Sequence, residues 1–239
     1  MMVWRALSAD WLKIRGRGLW FLVFLGPLGL VAMQGLNFGL RYDYLTKQYS
    51  ADLWGGLLSN LSDFVPVALY LGGTLVCSLI ANIEHQTSSW KQLLALPISR
   101  ISVFMAKLLL CLLLVAFSCL LLSAGAVGLG LALGFKRELI PYADVFRIGL
   151  LSYLAALPVI VLQLWLSLSF RNQTFPVALG LTLSLTSLFA MFLAEWVPLS
   201  WPYLAWGTPH HILYSSAGLL LGLLVLLPGI VHFARKDVE

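Results

Sequence analysis

Charge is what this chain has least of: 10% of its 239 residues are Asp, Glu, Lys or Arg, against 60% that are apolar. An ordinary soluble domain carries about 25% charged residues, so that class is excluded. Catalytic signatures are missing as well. The sequence contains no HExxH zinc motif, no GxSxG nucleophile elbow and no GxxxxGK phosphate loop followed by Ser or Thr. Of its four histidines, His85 and His232 stand alone. His210 and His211 are adjacent and diverge by about 100° on a helix, which makes a poor metal pair. Cysteine is scarce: Cys77, Cys111 and Cys119 all fall in apolar stretches, with no metal-ligand spacing and no disulfide framework. Ionisable groups also avoid the middle of those stretches, where Asp63, Arg147 and Glu195 fall near ends. A proton- or sodium-coupled carrier needs such groups at depth, and so does an ion channel.

Long apolar runs are abundant instead. A bilayer core of about 30 Å needs roughly 20 apolar residues per helix, and six stretches qualify, at about 19–38, 64–83, 101–134, 145–170, 175–195 and 211–234. Unbroken runs such as Leu108–Leu122 argue against the alternating pattern of a membrane β-barrel. The expectation is an all-α integral membrane protein of six transmembrane helices. The division is an interfacial amphipathic helix over 1–18 and a six-span domain over 19–239.

The net charge of +5 is topological in its distribution. Arg5, Lys13, Arg15, Arg17, Lys91, Arg100, Lys107, Arg171, Arg235 and Lys236 fall on one side of the spans, leaving Arg41, Lys47, Lys136, Arg137 and Arg147 for the other. The positive-inside rule then places both termini in the cytoplasm and leaves no patch for nucleic acid. The first apolar run lacks a convincing cleavage site and reads as an uncleaved span. Lys107 is expected to snorkel inward from span 3.

Before span 1, Trp4, Leu7, Trp11 and Ile14 recur at helical spacing, with Arg5, Lys13 and Arg15 pointing largely elsewhere. Gly16 and Gly18 are expected to bend the chain into the membrane. Tyr42, Tyr44, Tyr49, Trp54, Trp196, Trp201, Tyr203 and Trp206 fall in the two longer outer loops and read as an aromatic belt, or as a lining for amphipathic substrates. Three GxxxG pairs, Gly35/Gly39, Gly130/Gly134 and Gly218/Gly222, can bring helix backbones close within a bundle or between subunits. Pro66, Pro158, Pro176 and Pro228 lie in or at the starts of spans and read as kinks. The deepest polar groups are Gln34 and Gln163, with Thr182, Ser184, Thr186 and Ser187 in span 5; these six are the candidate substrate path.

Between spans 2 and 3, residues 84–100 read EHQTSSWKQLLALPISR. Trp90, Leu93, Leu94 and Pro97 share one helical face, Lys91 and Gln92 the other, Thr87 to Ser89 can cap the start, and Pro97 interrupts the helix. Such a short amphipathic helix suits a mechanical contact with another protein, or anchors its loop to headgroups. This segment, together with Arg100 and the following Lys107, resembles the coupling segment of ABC-2-type permeases, and the N-terminal SADWLKIRGRG resembles the elbow helix of that family. The wording TSSWKQLLALPISR is most similar to permeases of lantibiotic and bacitracin immunity exporters, with a departure at Ser88, where many members have glycine.

The resemblance implies a multi-pass permease subunit of a bacterial cell-membrane ABC exporter. It would pair with a second six-span permease, identical or homologous, and dock two copies of an ATP-binding subunit that carry the ATP and Mg; this chain would bind no cofactor. Glu84, Thr87, Trp90, Lys91, Leu94 and Arg100 are the docking candidates. The cargo would be amphipathic or hydrophobic, including a peptide antibiotic to which the export confers immunity. A six-span intramembrane enzyme and a non-transporting sensor or scaffold are the competing readings.

Overall fold

A computed structural model describes residues 2–86 and 99–235, and among these there is no strand. Six helices are long and apolar enough to cross a membrane: span 1 (Leu19–Leu40), span 2 (Val65–Gln86), span 3 (Arg100–Ala132), span 4 (Tyr142–Ser169), span 5 (Thr174–Phe192) and span 6 (His211–Arg235). The chain is therefore an all-α, multi-pass membrane protein. Hydrocarbon offers the backbone no hydrogen-bond partner, so an apolar segment of this length satisfies its own N–H and C=O groups by coiling. Glu195, expected to end span 5, instead lies in the following loop, because the helix tightens into a 3₁₀ turn over Ser187–Phe192 and stops there.

Glycine sets how close the spans come. A Cβ on Gly218 would lie 2.5 Å from the Ala155 Cα, and one on Gly222 would lie 3.1 Å from the Leu157 Cβ. The Gly218/Gly222 pair is thus a crossing of spans 4 and 6 within this chain. The other two pairs act differently. Gly130 leaves room for the indole of Trp54, and Gly134, at φ +83°, ends span 3. There the Phe135 N–H reaches the Gly130 carbonyl at 3.0 Å, closing the helix end. Gly39 faces open space. Pro66 and Pro176 occupy first turns, where no N–H is needed, whereas Pro158 and Pro228 are interior and are joined by Pro27 in span 1.

The first outer segment is folded rather than a loop, with helices at Tyr42–Gln48 and Leu53–Ser62. The Asp52 side chain caps the second by accepting from the Gly55 N–H at 2.9 Å. Leu57, Leu58 and Leu61 are fully buried. Trp54 leaves the expected aromatic belt: its ring is buried edge-on to Phe135, and its N–H donates to the Lys136 carbonyl at 3.1 Å. Tyr42, Tyr44 and Trp196 remain at the surface. The second outer segment is held by Tyr70, which donates from span 2 to the Leu199 carbonyl at 3.2 Å.

Candidate functional site

The site begins with the N-terminal helix, Met2–Lys13. Leu7, Asp10 and Ile14 recur at i, i+3 and i+7 and are buried against the first turns of span 3. Trp4, Trp11 and Leu12 are exposed, the two indoles flanking Leu7 at the edge of that buried face. The single apolar face expected for Trp4, Leu7, Trp11 and Ile14 is therefore split, because Leu7 and Ile14 serve the protein core and the two indoles do not. Gly16 and Gly18, at φ +75° and +76°, make the expected bend into span 1. Only glycine adopts that left-handed conformation without strain.

The inward face carries Asp10 to the foot of spans 2 and 3, where four charged groups meet. The Lys107 ammonium lies 2.9 Å from Glu84 Oε1 and 3.4 Å from Asp10 Oδ1. The Lys13 ammonium lies 2.8 Å from the same Glu84 oxygen and 3.8 Å from Asp10 Oδ1. Glu84 and Lys107 are each 1% exposed. Two corrections follow. Lys107 does not snorkel, because two carboxylates stand beside its ammonium; Lys13 does not point away from the core, because Glu84 draws it to the inner edge.

Among the described residues two cations face two anions, and that balance makes their burial tolerable. Burial raises the Asp10 pKa above the ordinary carboxylate value, and the positive charges of Lys107 and Lys13 oppose the rise without cancelling it. Mechanically, the cluster fastens three elements, namely the N-terminal helix, the last turns of span 2 and the second turn of span 3. Glu84 stands three residues before Thr87, where the segment 87–98 begins.

A family model described as ABC-2 family transporter protein matches residues 6–187, a stretch that includes all four cluster residues. The chain belongs to the ABC-2 transporter family. Searches of curated proteins and of solved structures returned no match. Family membership makes this chain a membrane-spanning permease subunit of an ABC transporter.

Further contacts at this end of the ABC-2 permease lie on both sides of the segment 87–98. On its N-terminal side, a His85 ring nitrogen lies 3.3 Å from the Ser167 carbonyl of span 4. On its C-terminal side, Ser99 caps span 3 by accepting from the Ser102 N–H at 3.2 Å, and Arg100 donates to the Ala234 carbonyl of span 6 at 3.3 Å. Of the docking candidates, Glu84 is turned inward and Arg100 is half-buried. Thr87, Trp90, Lys91 and Leu94 lie outside the described residues.

The six polar groups read as a substrate path are dispersed. Gln34 donates to the Asn60 carbonyl at 2.9 Å near the outer end, while Gln163 donates to the Pro176 carbonyl at 2.7 Å towards the other end. Ser184 donates to the Val67 carbonyl at 3.1 Å and Ser187 to the Ser184 carbonyl at 2.6 Å. Thr182 and Thr186 bond back to their own helix on an exposed face. None of the six lines the apolar cleft between spans 1, 2 and 3, which has a volume of about 40 Å³ and is walled by Leu22, Gly26, Leu30, Gly72 and Leu114. Asp10 and Lys13 were absent from the sequence candidates. Their signal was the i, i+3 spacing in ADWLK, which puts both on one helical edge, and the isolated Lys107 early in an apolar run was its counterpart.

Proposed function

We propose that this ABC-2 permease subunit expels an amphipathic or hydrophobic substrate using ATP hydrolysed by a separate subunit, and that the segment 87–98 receives the push. Both termini and the basic end of the bundle face the cytoplasm of a bacterial cell, on the charge asymmetry across the spans. Two copies of the ATP-binding subunit, carrying ATP and Mg, dock beneath two six-span permeases, identical or homologous. Trp90, Lys91 and Leu94, with Thr87 and Arg100 at the rims, form the docking surface. Glu84 takes a different part from its neighbours: it anchors the segment instead of touching the partner.

The observation that supports this reading is the buried cluster at the root of the segment. Through Glu84, a displacement of 87–98 bears on spans 2 and 3 and on the N-terminal helix together, so the three move as one block. The cargo is assigned by resemblance to lantibiotic and bacitracin immunity permeases: a membrane-active peptide antibiotic, captured from the bilayer and released outward. The scarcity of polar groups at depth is compatible with such a cargo.

Co-expression with ABC ATP-binding subunits from the same genome tests the partnership. The expected result is a complex that co-purifies in detergent and hydrolyses ATP faster in proteoliposomes than the ATP-binding subunit alone. No complex, or no change in hydrolysis, overturns the proposal.

A further inference from the structure

The outward side of the N-terminal helix carries a second set of residues that the ion cluster does not use. Trp4, Trp11 and Leu12 are exposed there and form an open apolar shelf with Leu7 and Ser8. The shelf runs on into the lipid-facing exterior of the bundle. Trp11 packs edge-on to Trp20 at 5.5 Å between ring centres, Trp20 to Phe117 at 6.0 Å, and Phe117 to Phe24 at 6.0 Å. Phe24 and Phe117 are both exposed on the sides of spans 1 and 3. An aromatic track therefore leads from the N-terminal helix up the membrane-facing wall.

Three exposed arginines, Arg5, Arg15 and Arg17, lie within six residues of Trp11 along the chain. Among the described residues none of the three has an ion-pair partner. Asp10 is the one carboxylate of residues 2–18, and it is buried on the far side against Lys107. Among residues 2–18 the exposed charges are thus all basic, and they neighbour the exposed apolar residues Trp4, Trp11 and Leu12. We infer that this surface is a binding site for an anionic phospholipid: the acyl chain lies along Trp11, Trp20 and Phe117, and the phosphate is held by Arg5, Arg15 and Arg17. Indoles favour headgroup depth, and cationic side chains there favour anionic lipid. The continuity of the track with the membrane wall favours lipid over a protein partner on this face.

Quenching by brominated lipid tests the inference without requiring transport or an ATP-binding subunit. The full permease is placed in phosphatidylcholine nanodiscs containing a low fraction of brominated phosphatidylglycerol or brominated phosphatidylcholine. The contribution of Trp4 and Trp11 is the difference between wild type and Trp4→Phe/Trp11→Phe. Brominated phosphatidylglycerol is expected to half-quench that component at a fraction about tenfold lower than brominated phosphatidylcholine. Arg5→Gln/Arg15→Gln/Arg17→Gln should equalise the two lipids, whereas the corresponding triple Lys variant should keep the preference, since charge sets it. Equal quenching in the wild type, or a preference that survives in the Gln variant, overturns the inference. Quenching by neither lipid, with a change on adding the ATP-binding subunit, overturns it too and assigns the face to a protein contact.

Discussion

Glu84 and Lys107 touch at 2.9 Å with neither side chain open to solvent, so losing either one alone unbalances a buried cluster. Removing one member of a buried pair costs about 3–5 kcal/mol, whereas removing both keeps the charge balanced, with Asp10 and Lys13 left facing each other at 3.8 Å. Lys107→Met is therefore expected to lower thermal stability in detergent by about that amount. The double variant Lys107→Met/Glu84→Gln should recover most of the loss, and a double-mutant cycle in Tm measures the recovery. The pH dependence follows from Asp10. Its folded pKa is raised by burial, so between the ordinary carboxylate pKa and the folded value the native state holds more protons than the unfolded state. Stability then falls as pH rises through that window. A pH series of Tm should show this decline in the wild type, and Asp10→Asn should flatten it. At this scale the sequence was legible in part. The spacing of Asp10 and Lys13 put them on one edge, but nothing in the apolar pattern separated Leu7 and Ile14, which the protein buries, from the two tryptophans, which it leaves exposed. A hydrophobic face looks the same whether protein or lipid covers it.

Helix contacts depend on what lies opposite, and that is where the three GxxxG pairs part ways. All are equal as patterns, yet only Gly218/Gly222 meets another backbone, that of span 4. Gly218→Val is expected to prise spans 4 and 6 apart and lower Tm or prevent a monodisperse preparation, whereas Gly39→Ala, which meets nothing, should leave Tm unchanged. The bend before span 1 was readable because Gly16 and Gly18 fall together between two helical patterns. Gly18→Ala is expected to destabilise by about 1–2 kcal/mol, the cost of a left-handed conformation for a residue with a Cβ, measurable as a Tm shift. The folded outer helix Leu53–Ser62 was hidden for a physical reason. Its ten residues are too short to read as a span, and its partners on span 3 lie more than 60 positions away in sequence.

For the molecule as a whole, six crossings with basic residues gathered at one end were plain from composition, because a bilayer leaves little choice for runs of this length. The proposed orientation is tested by single cysteines in a background lacking Cys77, Cys111 and Cys119. Ser8→Cys should react with a membrane-impermeant maleimide only after the membrane is opened, and Tyr142→Cys should react in intact cells. What no count of charges conveyed was that the root of the segment 87–98 is tied to two spans and the N-terminal helix by a buried ion cluster, in which the described residues supply two cations and two anions. That cluster gives the central claim its form: force from an ATP-binding subunit enters at 87–98 and moves a block of helices. The most direct measurement is ATPase stimulation in proteoliposomes holding the permease and its ATP-binding subunit, with Trp90→Ala/Leu94→Ala compared against wild type. Loss of most of the stimulation, with the basal hydrolysis of the ATP-binding subunit intact, is the predicted result. Stimulation equal to wild type in that double variant would contradict it.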